Sequence, residues 1–187
     1  DRADASRLKD AEREISSALG GGALEGAPVL PVSSATGAGI DALREHIGQA
    51  ARTITARPAS GNFRLAIDRC FTLRGAGVTV TGTVFSGAAA NGGALILSPS
   101  GIHVRVRSIH ANNQAAEQAS AGQRCAINIA ASSGDNLDRE KIQRGDWLMA
   151  EAAHAPTARI DARSRLLRTE AGPLKNWTPV HVHVGAA

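Results

Sequence analysis

The sequence predicts a mainly β fold: a small β-barrel, preceded by a partial α/β segment and followed by the start of a second β-barrel. Three observations predict it. Short strand-like runs recur at 63–68, 78–85, 94–98, 102–109, 124–130 and 147–149, with turn signals such as Asn91-Gly92-Gly93 and Ser98-Pro99-Ser100-Gly101 between them. Helical apolar spacing is concentrated before residue 52. Two further strand-like runs, 159–167 and 178–184, follow a second linker.

The front segment reads as helix, strand, polar loop, helix. Leu8, Ala11, Ile15 and Leu19 share one face of a helix over 4–19, with Asp4 as its N-cap and Gly20-Gly21-Gly22 at its end. Pro28 to Val32 is apolar and strand-like. The loop after it opens a helix whose apolar face is Ile40, Leu43, Ile47 and Ala50. One strand has nothing to pair with and two helices need a sheet to cover, so the segment is expected to be truncated at its front or to lean on a partner. The expected organisation is therefore 1–51 as the partial α/β segment, 52–62 as a linker, 63–150 as the barrel, 151–158 as a linker and 159–187 as the start of the second barrel.

The barrel opens on the stretch that organises the chain. Phe63, Leu65 and Ile67 alternate with Arg64 and Ala66, as in a strand with one buried face. Val78 to Phe85 is rich in Val and Thr, and Gly75-Ala76-Gly77 supplies the turn between the two runs. Asp68-Arg69 closes the first run, and strand ends are where functional polar groups sit on a rigid scaffold. Ser132 to Gly145 is a polar interruption with a short helix expected at Asp138 to Gln143.

Composition narrows the function classes. Residues 1–62 carry 7 Lys/Arg and 8 Asp/Glu, net −1, whereas 63–187 carry 14 and 9, net +5. The excess is mostly arginine, which suits bidentate phosphate or carboxylate recognition; an ordinary solvated surface is the alternative. Aromatics are 3% and Tyr is absent, which argues against a nucleic-acid surface built on stacked rings. No apolar run is long enough to span a bilayer, the first residues lack a signal-peptide core, and Cys70 and Cys125 have no metal-ligand spacing. A cytoplasmic protein with free thiols, no metal and no membrane partner is expected.

Four blocks in order, FRLAIDRCFTLRGAGVTVTGTVFSG (63–87), VRVRSIHANNQ (104–114), AGQRCAINIA (121–130) and RGDW (144–147), resemble the bacterial selenocysteine-specific translation elongation factors of SelB type. These are translational GTPases related to elongation factor Tu, and the resemblance covers nearly the whole chain. It implies that 1–51 ends a GTPase domain, that 63–150 is the elongation-factor-type second domain and that 159–187 begins the third. It implies selenocysteinyl-tRNA and the ribosome as partners, and GTP/GDP with Mg²⁺ as cofactors of the full-length parent. An mRNA hairpin would be bound through a C-terminal domain beyond this chain. Ser33 and Ser34 fall where the family holds guanine, with Ser34 in place of the usual alanine, and Asp1 falls at the end of an earlier guanine motif or is simply a terminal residue. The chain has neither a Gly-x-x-x-x-Gly-Lys-Ser/Thr loop nor an Asp-x-x-Gly switch motif, so it is expected not to hydrolyse GTP alone or to hold nucleotide tightly.

The resemblance also assigns a site. In elongation factor Tu the region of Asp68-Arg69 carries two carboxylates and the position of Arg124 is asparagine; here both places carry arginine. A selenol is more acidic than a thiol, whose reference pKa is about 8.5, so fixed positive charge selects it. Arg69 and Arg124 are expected to supply that field, with Asp68 orienting an arginine or accepting from the α-amino group. A plain surface ion pair is the alternative for Asp68-Arg69. Arg105, Arg107, His181 and His183 are candidate tRNA contacts or ordinary solvated residues, and Trp147 and Trp177 are expected core or interface anchors. The runner-up functions are the equivalent segment of another tRNA-carrying translational GTPase and a stand-alone basic β-barrel interaction module.

Overall fold

In a computed structural model the described residues are 2–55, 59–134, 136–164, 166 and 172–186. The chain divides into two compact units, Asp1–Thr55 with Asp161–Thr178, and Ala56–Ile160 with Pro179–Ala187.

Among its described residues the first unit holds two helices. Helix α1, Ala5–Leu19, begins where the Asp4 carboxylate accepts from the Arg7 N–H at 2.8 Å, satisfying one of the unpaired donors of a first turn. Helix α2, Ile40–Thr53, begins at Gly39 in the left-handed region, φ 76. A Cβ there would meet the Pro31 carbonyl oxygen at 2.2 Å, so the position requires glycine. Neither helix buries a residue. The strand expected at 28–32 does not form. Pro28 and Pro31 have no N–H to give a ladder, and among the described residues no strand lies beside them.

The second unit is the barrel. Its strands are β1 (Arg64–Leu73), β2 (Gly77–Ser86), β3 (Ala88–Ala90), β4 (Ala94–Ser98), β5 (Ile102–Ala111), β6 (Gln114–Ala116), β7 (Gln118–Ser120), β8 (Arg124–Ala131) and β9 (Trp147–Met149). Six of them run in the order β4-β9-β1-β2-β8-β5, and β5 pairs back to β4, closing an antiparallel barrel with no free edge along that circuit. Strands β3 and β7 form a separate two-stranded ribbon, and β6 extends β5 as a hairpin. Leu65, Ile67, Val80, Val84, Ile127 and Leu148 fill the interior at 0% exposure. Their alternation with outward residues is what the period-two pattern requires.

Two local features set the site. Strand β1 carries a bulge: Ile67 pairs with Gly82 and Arg69 with Thr81, leaving Asp68 as the extra residue. Gly82 allows the strands to close there, because a Cβ on it would meet the Ala66 carbonyl oxygen at 2.0 Å. The β5–β6 hairpin turns through Asn112 and Asn113, both at positive φ (52 and 64), as a two-residue hairpin with the right-handed twist demands.

The expected short helix appears as a single 3-10 turn, Arg139–Lys141, capped by Asp138. The described residues of 159–167 and 178–184 form no strand, since no neighbouring ladder pairs with them. His181 and His183 therefore share no strand face; both are exposed on irregular chain. Trp147 packs edge-to-face on Phe85, ring centres 5.3 Å apart, as an anchor should. Trp177 does not anchor anything in its unit: it is 100% exposed.

Candidate functional site

The site is built on the outer wall of β1, β2 and β8. The bulge carries the Asp68 carboxylate across β2 to the start of β8. There Arg124 donates to it twice, from Nη1 and from Nη2, the second bond at 3.2 Å. The Thr81 hydroxyl donates to the same carboxylate at 2.7 Å. Partial burial pushes the Asp68 pKa up; the bonds from Arg124 and Thr81, together with the charges of Arg124 and Arg69, outweigh it and hold the carboxyl below its ordinary value. The same pair raises the pKa of Arg124, chiefly through its hydrogen bond to Asp68.

Arg124 lines a cleft of about 370 Å³ with Thr81, His110, Asn112, Asn113, Cys125 and Ala126. A guanidinium has five N–H donors, and Asp68 occupies two of them, which leaves donors for an anion in the cleft. The neutral walls, Ala126 and the two asparagines, compete with none of this charge. Arg69 lies opposite Thr81 in the ladder, on the same outer wall, and adds positive charge near Asp68; it does not line the cleft. The structure thus brings Asp68, Arg69 and Arg124 together around Thr81.

Thr81, His110, Asn112 and Asn113 escape the sequence reading. The Asn-Asn pair after an alternating run is a hairpin signal, and the hairpin is what sets it over the cleft. The outer β5 residues Arg105 and Arg107 are exposed away from that cleft.

The remaining positions are quickly placed. Ser33 is buried and closes its loop: its N–H donates to the Ala38 carbonyl at 2.9 Å, and its own carbonyl accepts from the Gly37 N–H at 2.9 Å. Ser34 is exposed beside it, and Asp1 lies outside the described residues. Burial raises the pKa of both Cys70 and Cys125, which keeps the thiols protonated and poor nucleophiles. Among the described residues no three His, Cys, Asp or Glu side chains cluster to hold a metal, and no helix is long and apolar enough to cross a membrane.

No family model matches the chain. Among curated proteins it is 42% identical over 187 residues to the selenocysteine-specific elongation factor of Escherichia coli K12, covering 100% of this chain and 29% of that protein. The chain belongs with the selenocysteine-specific elongation factors. The factor of Desulfomicrobium baculatum is 37% identical over 179 residues, 96% of this chain and 27% of its own length. Among solved structures, the apo elongation factor SelB of Methanococcus maripaludis superposes with a TM-score of 0.69 at 28% identity, over 81% of this chain and 32% of that one. The chain thus spans less than a third of the length of these selenocysteine-specific elongation factors. The closed barrel is the shared feature of the fold.

Proposed function

We propose that the Arg124 cleft receives the selenocysteinyl end of selenocysteinyl-tRNA, and that the chain serves a factor delivering this tRNA to the ribosome in a GTP-dependent way. In this reading residues 63–150 are the tRNA-carrying second domain, 1–51 end the GTPase domain around Ser33 and Ser34, and 159–187 open the third. The observation that carries it is a guanidinium held at a cleft by a carboxylate, with donors to spare. A selenolate satisfies those donors; a seryl hydroxyl or a protonated thiol brings no charge to meet them. A site built around charge rejects neutral analogues because its own groups are then left unpaired. Arg69 supports the same field from the other side of Asp68.

The test is Arg124→Ala, with equilibrium binding of selenocysteinyl-tRNA and seryl-tRNA compared. A hydrogen-bonded charge contact is worth about 1.5–3 kcal/mol, so selenocysteinyl-tRNA binding should weaken about ten- to hundredfold. Seryl-tRNA binding should change little. Equal loss for both would reduce the cleft to a general aminoacyl site.

A further inference from the structure

The Arg124 cleft has a floor and two walls. Thr81, Ala126 and His110 stand in one row across three strands: Thr81 on β2 pairs with Ala126 on β8, and Ala126 pairs with His110 on β5. All three line the cleft. Ala126 is the floor, because its methyl group leaves the space above β8 open. The flanking strands are two inter-strand spacings apart, about 9–10 Å. Arg124 is two residues from Ala126 on the same face, and its guanidinium joins the Thr81 wall, where Asp68 holds it. The opposite wall is the exposed His110 side chain. Among the described residues no carboxylate lines the cleft. Asp68 lies behind the first wall, with Arg124 and Thr81 bonded to it and the charge of Arg69 nearby. Thr81, Asn112 and Asn113 are neutral lining, and burial keeps the Cys125 thiol protonated.

We propose that His110 is a specificity-determining residue of this cleft: it donates to the selenium from the wall opposite Arg124, and its protonated ring favours an anionic side chain over a neutral one. This rests on the functional reading above and adds a pH dependence to it. A neutral imidazole offers one N–H, whereas the protonated ring offers two and carries charge. In the empty cleft a protonated His110 faces the Arg124 guanidinium as a like charge, and an anion between them is attracted by both. Histidine is the side chain whose charge changes between about pH 5 and pH 8. Asp68 and Arg124 stay charged through that range, since folding lowers the pKa of the first and raises that of the second.

The experiment measures equilibrium binding of selenocysteinyl-tRNA and seryl-tRNA to the full 187-residue chain and to its His110→Ala and His110→Gln variants. Measurements at about pH 6, 7 and 8 cover the range in which histidine changes charge. The quantity read is the ratio of the two affinities, in which the α-amino group common to both tRNAs cancels. His110 is exposed, so a thermal midpoint equal to that of the unmodified chain certifies the fold of each variant. At about pH 6, His110→Ala should lower the selenocysteinyl-to-seryl ratio about tenfold, the effect of losing one hydrogen bond to a charged group. In the unmodified chain the ratio should rise about fivefold from about pH 8 to about pH 6, because a charge-assisted bond is about twice as strong as a neutral one. In His110→Gln, which keeps an N–H donor without a titratable charge, the ratio should stay flat with pH. An equal loss for both tRNAs in His110→Ala overturns the proposal. So does a pH-independent ratio in the unmodified chain, or a pH response that survives in His110→Gln. Equal loss for both tRNAs in Arg124→Ala, or no tRNA binding by the unmodified chain, overturns the functional reading and this inference with it. A selective loss in Arg124→Ala beside an unchanged ratio in His110→Ala overturns this inference alone.

Discussion

At the scale of single residues, Asp68 is the position on which most depends. Its carboxylate takes donors from two strands other than its own, Thr81 on β2 and Arg124 on β8. Its pKa is lowered on folding, so its contribution to stability is complete above the ordinary aspartate value of about 3.9 and is lost as pH falls through the lower folded value. Arg124 is half exposed, and solvent discounts the pair to about 1 kcal/mol. Asp68→Asn should therefore cost about 1 kcal/mol at neutral pH, and the difference from the unmodified chain should shrink towards zero below about pH 4. Denaturant unfolding of both proteins across that range decides it, and a pH-independent gap would show that charge is not the cause. Asp68 and Arg124 stand 56 positions apart. No local pattern announces such a pair, and only the family resemblance brought them together before the fold was known. Arg69, its neighbour in sequence, reads as an equal partner; the bulge separates the two, turning Asp68 towards Arg124 and leaving Arg69 outside the cleft.

At the scale of elements, the β1–β2 hairpin does the positioning. The bulge at Asp68 works only if β2 approaches closely beside it, and Gly82 provides that approach. Any side chain there must push against the Ala66 backbone and the Leu65 side chain, neither of which has room inside a closed barrel. Gly82→Ala should destabilise the barrel by about 1–3 kcal/mol, in the range for overpacking a well-filled interior. It should also weaken the Asp68–Arg124 pair by shifting β1. A denaturation midpoint equal to that of the unmodified chain would contradict this. The long strands were legible because their buried face repeats every second residue: Leu65 and Ile67, Val80 and Val84, Ile127 and Ile129. Strands β3, β6 and β7 were not: each is three small or polar residues with no bulky apolar side chain to mark a buried face, unlike the equally short Trp147–Met149. The reverse occurred at 28–32 and at the described residues of 159–167 and 178–184, where apolar composition imitates a strand that lacks a partner among the described residues. Pairing is a property of the neighbours, and a local pattern does not contain it.

For the whole molecule, the contrast between the two units has a measurable consequence. The barrel buries its apolar side chains in one continuous cluster, and every strand of its closed circuit is paired on both sides. The two helices carry apolar stripes of similar quality in sequence, yet Leu8, Ile15 and Ile47 stay 41%, 42% and 58% exposed. Helical hydrogen bonds, the Asp4 cap and exposed ion pairs such as Arg7–Glu14 and Arg44–Asp41 support α1 and α2, and isolated helices of about this length are marginal in water. Local opening free energies follow buried contacts, so amides of the two units should exchange with solvent on different scales. Backbone amides of β1, β2 and β8 should exchange only through global unfolding of the barrel. Those of Ala5–Leu19 and Ile40–Thr53 should exchange within a factor of about ten to a hundred of the unstructured rate, because opening them exposes no core. Denaturant should leave the helical amides nearly unchanged and should accelerate the strand amides with the full dependence of cooperative unfolding. If the helices instead proved as protected as the strands, their stripes would have to be buried in solution, and the front unit would be a structural partner of something in the chain's own assembly.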